Sequence, residues 1–225
     1  RLTVTISLAV IAILIIIVVS LPLGILATKK QGGAIERIIV FITQTFMAIP
    51  PFFLGMIVTL IFGVTLKWFT PGKYVSFSQN KAKFFGYLIY PAIAMAIPKI
   101  AMTVKFLRSS ILRQMSFEYV KTAKSKGNSK RKILLRHVLK NALIPVITFL
   151  GMIIADVFAG SIILEQVFNL PGLGRLLIVA ISARDYAVVQ ACVLYIASIV
   201  IVINLCVDIL YRVIDPRIDG ERGAA

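Results

Sequence analysis

The sequence has few of the residues on which most catalytic and metal sites depend. Its 225 residues include two Cys, one His and one Trp. Cys192 and Cys206 are fourteen positions apart in one apolar run; on one helix they would lie about 21 Å apart and could not form a disulfide, so we interpret both as buried apolar residues. His137 lies in a basic segment. A His-based metal site inside the apolar runs is therefore excluded, and a Ser-His-Asp or Cys-His centre has no basis.

Acidic residues are also scarce, with nine Asp and Glu against 25 Lys and Arg, a net charge of +16. Such an excess is typical of nucleic-acid-binding proteins. Here, however, the basic residues lie between long apolar runs and do not alternate with aromatic residues, as they do on base-stacking surfaces. No GxxxxGK[ST] phosphate-binding loop occurs, which excludes nucleotide binding through that motif.

Apolar residues are abundant, at 59% of the chain, and the mean hydropathy is +0.95. Both values far exceed those of an average soluble domain. Uncharged or nearly uncharged runs long enough to cross a bilayer indicate an all-α, polytopic membrane protein. We predict five spans, at residues 2–28, 38–66, 84–106, 143–164 and 187–211.

The distribution of basic residues predicts the orientation of the spans. Lys29 and Lys30 follow the first run, which places the amino end outside. Loops 28–37 and 105–142 and the carboxyl tail are then cytoplasmic. The loop at 67–83 carries four Lys on the outer side, although Lys and Arg are usually more frequent in cytoplasmic loops. Over the whole chain, however, this orientation places 17 basic residues inside and 7 outside.

Several polar or helix-breaking residues interrupt the apolar runs. Pro50-Pro51 predicts a kink, either pathway-lining or a matter of packing. Lys99 is interpreted as a lysine that extends to the inner interface, with a pathway role as the alternative. Asp156 at mid-span is expensive in a bilayer, so both a functional role and a structural ion pair stay open. Asn204 and Asp208 fall on one face of the last span.

A basic segment separates the third and fourth spans. Residues 105–140 contain eleven Lys or Arg and one acid, Glu118. Apolar spacing predicts two amphipathic helices, with Gly127 ending the first and Ser129 capping the second. From charge alone, a loop lying against anionic lipid headgroups is one interpretation.

The pattern of residues in this segment supports a second interpretation. YVKTAKSKG followed by LLRHVLKNALIPV resembles the coupling (EAA) loop of binding-protein-dependent ABC importer permeases, in the dipeptide, oligopeptide and nickel branch. Lys121-Thr122-Ala123 stand where the general signature has Glu-Ala-Ala. Three further stretches resemble the same branch, namely AIPPFFLG, LEQVFNLPGLGRLLIVAISARDYAVVQ and NLCVDILYRVIDPRI.

This resemblance, which extends over residues 1–219, implies a type I ABC importer transmembrane domain at 1–225. Its coupling loop would lie at 117–145 and an external segment at 165–186. The implied function is a permease subunit for di- or oligopeptides in a bacterial or archaeal cell (inner) membrane. Import of nickel or a metal–metallophore complex is the alternative, and a secondary transporter or a membrane scaffold is a weaker one.

The resemblance also implies partners: a second homologous permease in a heterodimer, two ABC ATPase subunits and an extracytoplasmic substrate-binding protein. The chain itself would be neither an enzyme nor cofactor-bound, since the ATPases would bind ATP and Mg²⁺. Family members usually carry one more span before this point, so we expect an excerpt or a shortened chain.

The implied site residues form three groups, with no metal ligand among them. The residues expected to couple to the ATPase, with Ala123 and Gly127 at the contact itself, are Glu118, Tyr119, Thr122, Ala123, Lys126 and Gly127. The expected pathway or gate residues are Pro50, Asp156, Glu165, Pro171, Gly172 and Gly174. The expected structural residues are Asn204, Asp208 and Asp215.

Overall fold

The computed structural model describes residues 1–29 and 31–214, without the side chains at 208 and 210–214. The described residues form helices and no strands. The α-helices are α1 Leu2–Leu26, α2 Ala34–Ala48, α3 Pro51–Val58, α4 Lys81–Met115, α5 Glu118–Ser125, α6 Lys130–Lys132, α7 Leu139–Val167, α8 Leu173–Ser182 and α9 Tyr186–Ile214. Two π-helical segments, Thr59–Thr65 and Ile133–Val138, continue α3 and join α6 to α7.

Four of these helices are long and apolar enough to cross a membrane, at Leu2–Leu26, Lys81–Met115, Lys130–Val167 and Tyr186–Val207. The pair formed by α2 and α3 makes a fifth crossing if the two count as one span. The predicted number of about five spans agrees with this count.

The second run is broken more sharply than a kink. α2 and the helix that begins at Pro51 meet at 100°. Ile49 and Pro50 are both extended, with ψ of 123° and 142°, because a proline disfavours helical geometry in the residue before it. Pro51 then occupies the first turn of α3, where its missing N–H is tolerated. The position of the break was predicted correctly.

The third and fourth spans are longer than predicted, and each extends into the basic loop. α4 continues to Met115 rather than ending near 106. The second loop helix and the fourth span, which we predicted as separate elements, form one helix from Lys130 to Val167. A single helix therefore leads from the basic loop to the opposite end of the protein.

The core lies between α1, α4 and α7. Fully buried apolar side chains such as Leu8, Leu88 and Val157 fill it, and close packing makes it stiff. A Cβ at Gly24 of α1 would overlap Leu107 of α4, so the two helices approach closely there.

α9 packs on the outside of this core and is mostly exposed. It contacts α7 where Gly151 leaves room for Val207. Asn204 is exposed on α9; the Asp208 side chain and all of Asp215 lie outside the described residues. Cys192 is buried as expected, whereas Cys206 is exposed, so that part of the prediction is wrong.

Candidate coupling loop and transmembrane site

Helix α5 is a short, basic helix in the loop between α4 and the helix that runs from Lys130 to Val167. Phe117 is extended and Glu118 begins the helix, where a carboxylate favours the positive end of the helix dipole. Gly127 adopts φ of +74°, the left-handed conformation with which glycine commonly ends helices. Ser129 caps the next helix through Lys132 N, at 3.4 Å. Both predicted boundary signals are confirmed.

The outward face of α5 is polar and its inward face is apolar. The residues exposed on it are Glu118, Lys121, Thr122, Lys124 and Ser125, and Lys126 follows them at the C-cap. Ala123 is only 6% exposed and packs with Leu107 of α4 and with Ile133 and Leu134. This placement corrects the expectation that Ala123 lies at a contact with another subunit, because its side chain is covered by its own chain.

One hydrogen bond joins α5 to the end of α4, one closes the turn after α5, and one joins α4 to α7. The Tyr119 hydroxyl donates to Gln114 Oε1 at 2.9 Å. Asn128 Nδ2 donates to the carbonyl of Ala123 at 3.0 Å. Close by, Ser110 Oγ of α4 donates to the carbonyl of Ala142 of α7 at 2.8 Å. α5, the inner end of α4 and the start of α7 therefore form one packed unit.

An ion pair ties the loop between α1 and α2 to this unit. Arg108 donates through Nε to Glu36 Oε1 at 2.9 Å, and its Nη2 contacts the same oxygen. Gly32 N donates to Glu36 Oε2. Glu36 and Arg108 were not among the predicted site residues, and neither has a local sequence signal that identifies its partner.

Glu165 lies at the outer end of the protein, where it is fully buried between α1, α7 and the start of α8. Thr5 Oγ1 donates to its Oε1 at 2.6 Å, and Arg175 N donates to its Oε2 at 3.0 Å. Thr5 Oγ1 also accepts from Leu173 N at 3.0 Å. Glu165 was expected at a pathway or gate, and that role stays a prediction; within this chain its carboxylate is buried and contacts Thr5 and Arg175.

Two predicted glycines leave room for this arrangement. A Cβ at Gly172 would overlap the Glu165 carboxylate, and a Cβ at Gly174 would overlap the backbone of Ile162. Pro171 is half-buried just before them. Glu165, Gly172 and Gly174 are thus brought together, and they fix the external segment onto the helices beneath it.

The loop at 67–80 is fixed to the same outer region. Tyr87 of α4 donates its hydroxyl to the carbonyl of Phe168 at 3.0 Å and accepts from Gly72 N at 3.0 Å. Phe69 stacks on Tyr90, with ring centroids 4.2 Å apart. A tyrosine with an apolar ring and a bonded hydroxyl suits such a boundary between apolar and polar surroundings.

Asp156 lies apart from this outer cluster, on the surface of α7. Lys99 Nζ of α4 donates to Asp156 Oδ2 at 2.8 Å, and the side chains are 17% and 60% exposed respectively. The ion pair considered for Asp156 is therefore present, and Lys99 contacts this carboxylate instead of extending to the inner interface; a pathway role for either residue stays a prediction. Pro50 is exposed at the α2–α3 break.

The fold and these arrangements define a multi-pass, all-α membrane protein. The family model described as "Binding-protein-dependent transport system inner membrane component" matches residues 20–220. The chain belongs to this family, and it is a component of the inner membrane.

Named relatives match nearly the whole chain. It is 36% identical, over 97% of its length and 70% of the relative, to the "Probable peptide ABC transporter permease protein y4tP" of Sinorhizobium fredii. It is 35% identical, over 97% of its length and 70% of the relative, to the "Oligopeptide transport system permease protein AppB" of Bacillus subtilis. It is 33% identical, over 99% of its length and 72% of the relative, to the "Dipeptide transport system permease protein DppB" of Escherichia coli K12.

Solved structures support the same fold. Two crystal forms of the MetNI methionine ABC transporter, described as inward facing, contain a chain that superposes with TM-scores of 0.73 and 0.74. The identities are 17% and 14%, and 94% of this chain and 93% of that chain are covered in each case. The expected all-α ABC importer transmembrane fold is confirmed.

Proposed function

We propose that this protein is the permease subunit of an ATP-driven importer of di- or oligopeptides. The observation that carries the proposal is α5, a basic helix that presents a polar face and rests on a rigid apolar base. Relatives that cover nearly the whole chain are named as peptide, oligopeptide and dipeptide permeases, which supports the cargo class.

The packing of α5 against the rest of the chain explains how ATP hydrolysis would be coupled to transport. α5 packs on the segment Ile133–Val138 of the helix that runs from Lys130 to Val167, it shares a buried apolar cluster with the inner end of α4, and Tyr119 is hydrogen-bonded to Gln114 there. A force on α5 therefore moves both helices as rigid bodies, because a packed unit transmits displacement instead of absorbing it. The exposed residues Glu118, Thr122 and Lys126 form the contact with the ATPase, and Gly127 sets the end of the helix.

The partners follow from what this mechanism requires. Two separate ATPase subunits bind ATP and Mg²⁺ and hydrolyse ATP, while this chain carries the cargo and catalyses no reaction. A second, homologous permease completes the pathway as a heterodimer. Apolar side chains exposed on α2, such as Ile38 and Phe41, are available to that subunit or to lipid. An extracytoplasmic binding protein delivers the peptide.

Reconstitution of the complete transporter in proteoliposomes tests the proposal. A labelled short peptide, presented on the binding protein, should accumulate only with ATP on the ATPase side, and omission of this chain should abolish uptake. Nickel, free or chelated, is offered in parallel. Uptake of nickel without uptake of any peptide would contradict the cargo class, and peptide uptake that persists without this chain would contradict its role.

A further inference from the structure

The Lys99–Asp156 pair lies deep within the membrane-crossing helices. Tyr87 of α4 and Phe168, just after α7, are hydrogen-bonded to each other at the outer end. Lys99 is twelve residues from Tyr87 and Asp156 is twelve residues from Phe168. At 1.5 Å per residue, both helices place the pair about 18 Å inward of that bond, which is mid-membrane depth.

The pair also lies on an open surface of this chain. Asp156 is 60% exposed, and Met152, Ala159 and Ile163 are exposed on the same face of α7. A charged group at this depth is expensive against lipid tails and is found facing the bundle interior or a water-filled cavity. The face of α7 that carries Asp156 is therefore better suited to the bundle interior or a water-filled path than to lipid tails.

The chemistry of the pair matches one class of cargo. A free peptide carries an ammonium at one end and a carboxylate at the other. The ammonium can replace Lys99 at Asp156, and the carboxylate can bind the Lys99 ammonium that is released. Net charge at the site stays zero throughout, so that no step isolates a charge at low dielectric.

We infer that Lys99 and Asp156 form a transient binding site for the charged ends of a zwitterionic peptide as it crosses the membrane. The inference rests on the proposed function and deepens it. In the resting protein each charge neutralises the other, which keeps the site from trapping stray ions. Exchange of one ion pair for another makes binding weak, as passage requires.

Paired variants in the complete transporter test the inference. Two cargoes are compared, a free tripeptide and its N-acetylated form, both at saturating occupancy of the binding protein. For the unaltered transporter, the amount of free peptide imported per ATP hydrolysed should be about ten times that of the acetylated peptide. The reason is that the acetyl group removes one charge-assisted contact. The neutral double variant Lys99→Gln with Asp156→Asn should lose this preference while its ATP hydrolysis still responds to the loaded binding protein.

Each outcome decides one point. A double variant that keeps the full preference would overturn the inference and assign the preference to the binding protein. If the double variant does not assemble, the swapped variant Lys99→Asp with Asp156→Lys keeps both charges and should transport the free peptide with the preference retained; loss of the preference there would contradict the exchange of charges. Absence of uptake by the unaltered transporter would overturn the proposed function, and this inference with it.

Cysteine labelling tests the aqueous face without altering the pair. The experiment uses a variant without Cys192 and Cys206. Ala159→Cys and the control Leu194→Cys are at exposed positions, each eight residues from the outer end of its helix, α7 and α9 respectively. In the assembled transporter a hydrophilic thiol reagent should react faster at 159, and loaded binding protein should slow that reaction. Equal or slower reaction at 159 would mean that lipid or a partner covers the pair, and would overturn the inference.

Discussion

The hydroxyl of Thr5 donates a 2.6 Å hydrogen bond to the carboxylate of Glu165, which lies 160 residues later in the chain. Thr5 also accepts from the backbone of Leu173. One side chain of α1 thus bridges a buried acid and the first residue of α8, and it fixes the external segment to the first span.

Loss of the Thr5 hydroxyl should loosen that segment. In Thr5→Val the shape is kept, but a buried carboxylate and a buried N–H each lose a partner, at a cost of about 1–3 kcal/mol. We expect a lower unfolding temperature in detergent, measured by the loss of monodisperse protein on heating. Thr3→Val is the control, since Thr3 is exposed on the same helix. Equal unfolding temperatures for the two variants would contradict the role of Thr5.

Gly174→Ala should be more harmful than Gly160→Ala. A Cβ at Gly174 meets the backbone of Ile162, which cannot rotate away, whereas a Cβ at Gly160 meets no heavy atom within 4 Å. Overpacking of this kind typically costs about 1–3 kcal/mol. The same heating assay should show a loss for Gly174→Ala and little or no loss for Gly160→Ala; the reverse order would show that the outer segment is packed differently.

Substitutions at Gly127 should separate backbone conformation from packing. A Cβ there meets nothing within 4 Å, but φ is +74°. Asn tolerates this conformation and a β-branched residue does not. Gly127→Asn should therefore retain peptide-stimulated ATP hydrolysis and uptake, while Gly127→Val should assemble but uncouple the two. Full coupling in the Val variant would remove Gly127 from the proposed mechanism.

Thiol accessibility in whole cells should confirm the orientation of the loops. In a variant without Cys192 and Cys206, Ser125→Cys on α5 should react with an impermeant reagent only after the membrane is opened. Ser78→Cys, in the exposed loop before α4, should react in intact cells. Reaction at 125 from outside would invert the proposed topology and remove α5 from the cytoplasm.

Features with local causes could be read from the sequence. Pro50-Pro51 breaks a helix wherever it occurs, and Gly127 adopts a conformation that other residues avoid. The number of spans follows from the apolar runs, although α4 and the helix from Lys130 to Val167 extend beyond the predicted bounds. The resemblance to importer permeases pointed to Glu165, Gly172 and Gly174, which the structure brings together.

Features that depend on which helices contact each other could not be predicted from the sequence. Glu36 lies 72 residues from Arg108, and Lys99 lies 57 residues from Asp156. Uniformly apolar helices carry little information about their neighbours, so many pairings satisfy the same sequence. The burial of Ala123 likewise depends on the packing of α4 against α7, which no local pattern specifies.

Docking of α5 onto a separate ATPase subunit is central to the proposed function, and site-specific photo-crosslinking in the assembled transporter tests it most directly. A photoreactive residue replaces Lys124, on the exposed face of α5, or Lys83, at the opposite end of the molecule. Irradiation should join position 124, and not position 83, to the ATPase, with a yield that changes when ATP and loaded binding protein are added. A transporter that imports peptide but gives no ATPase crosslink from position 124 would contradict the central claim.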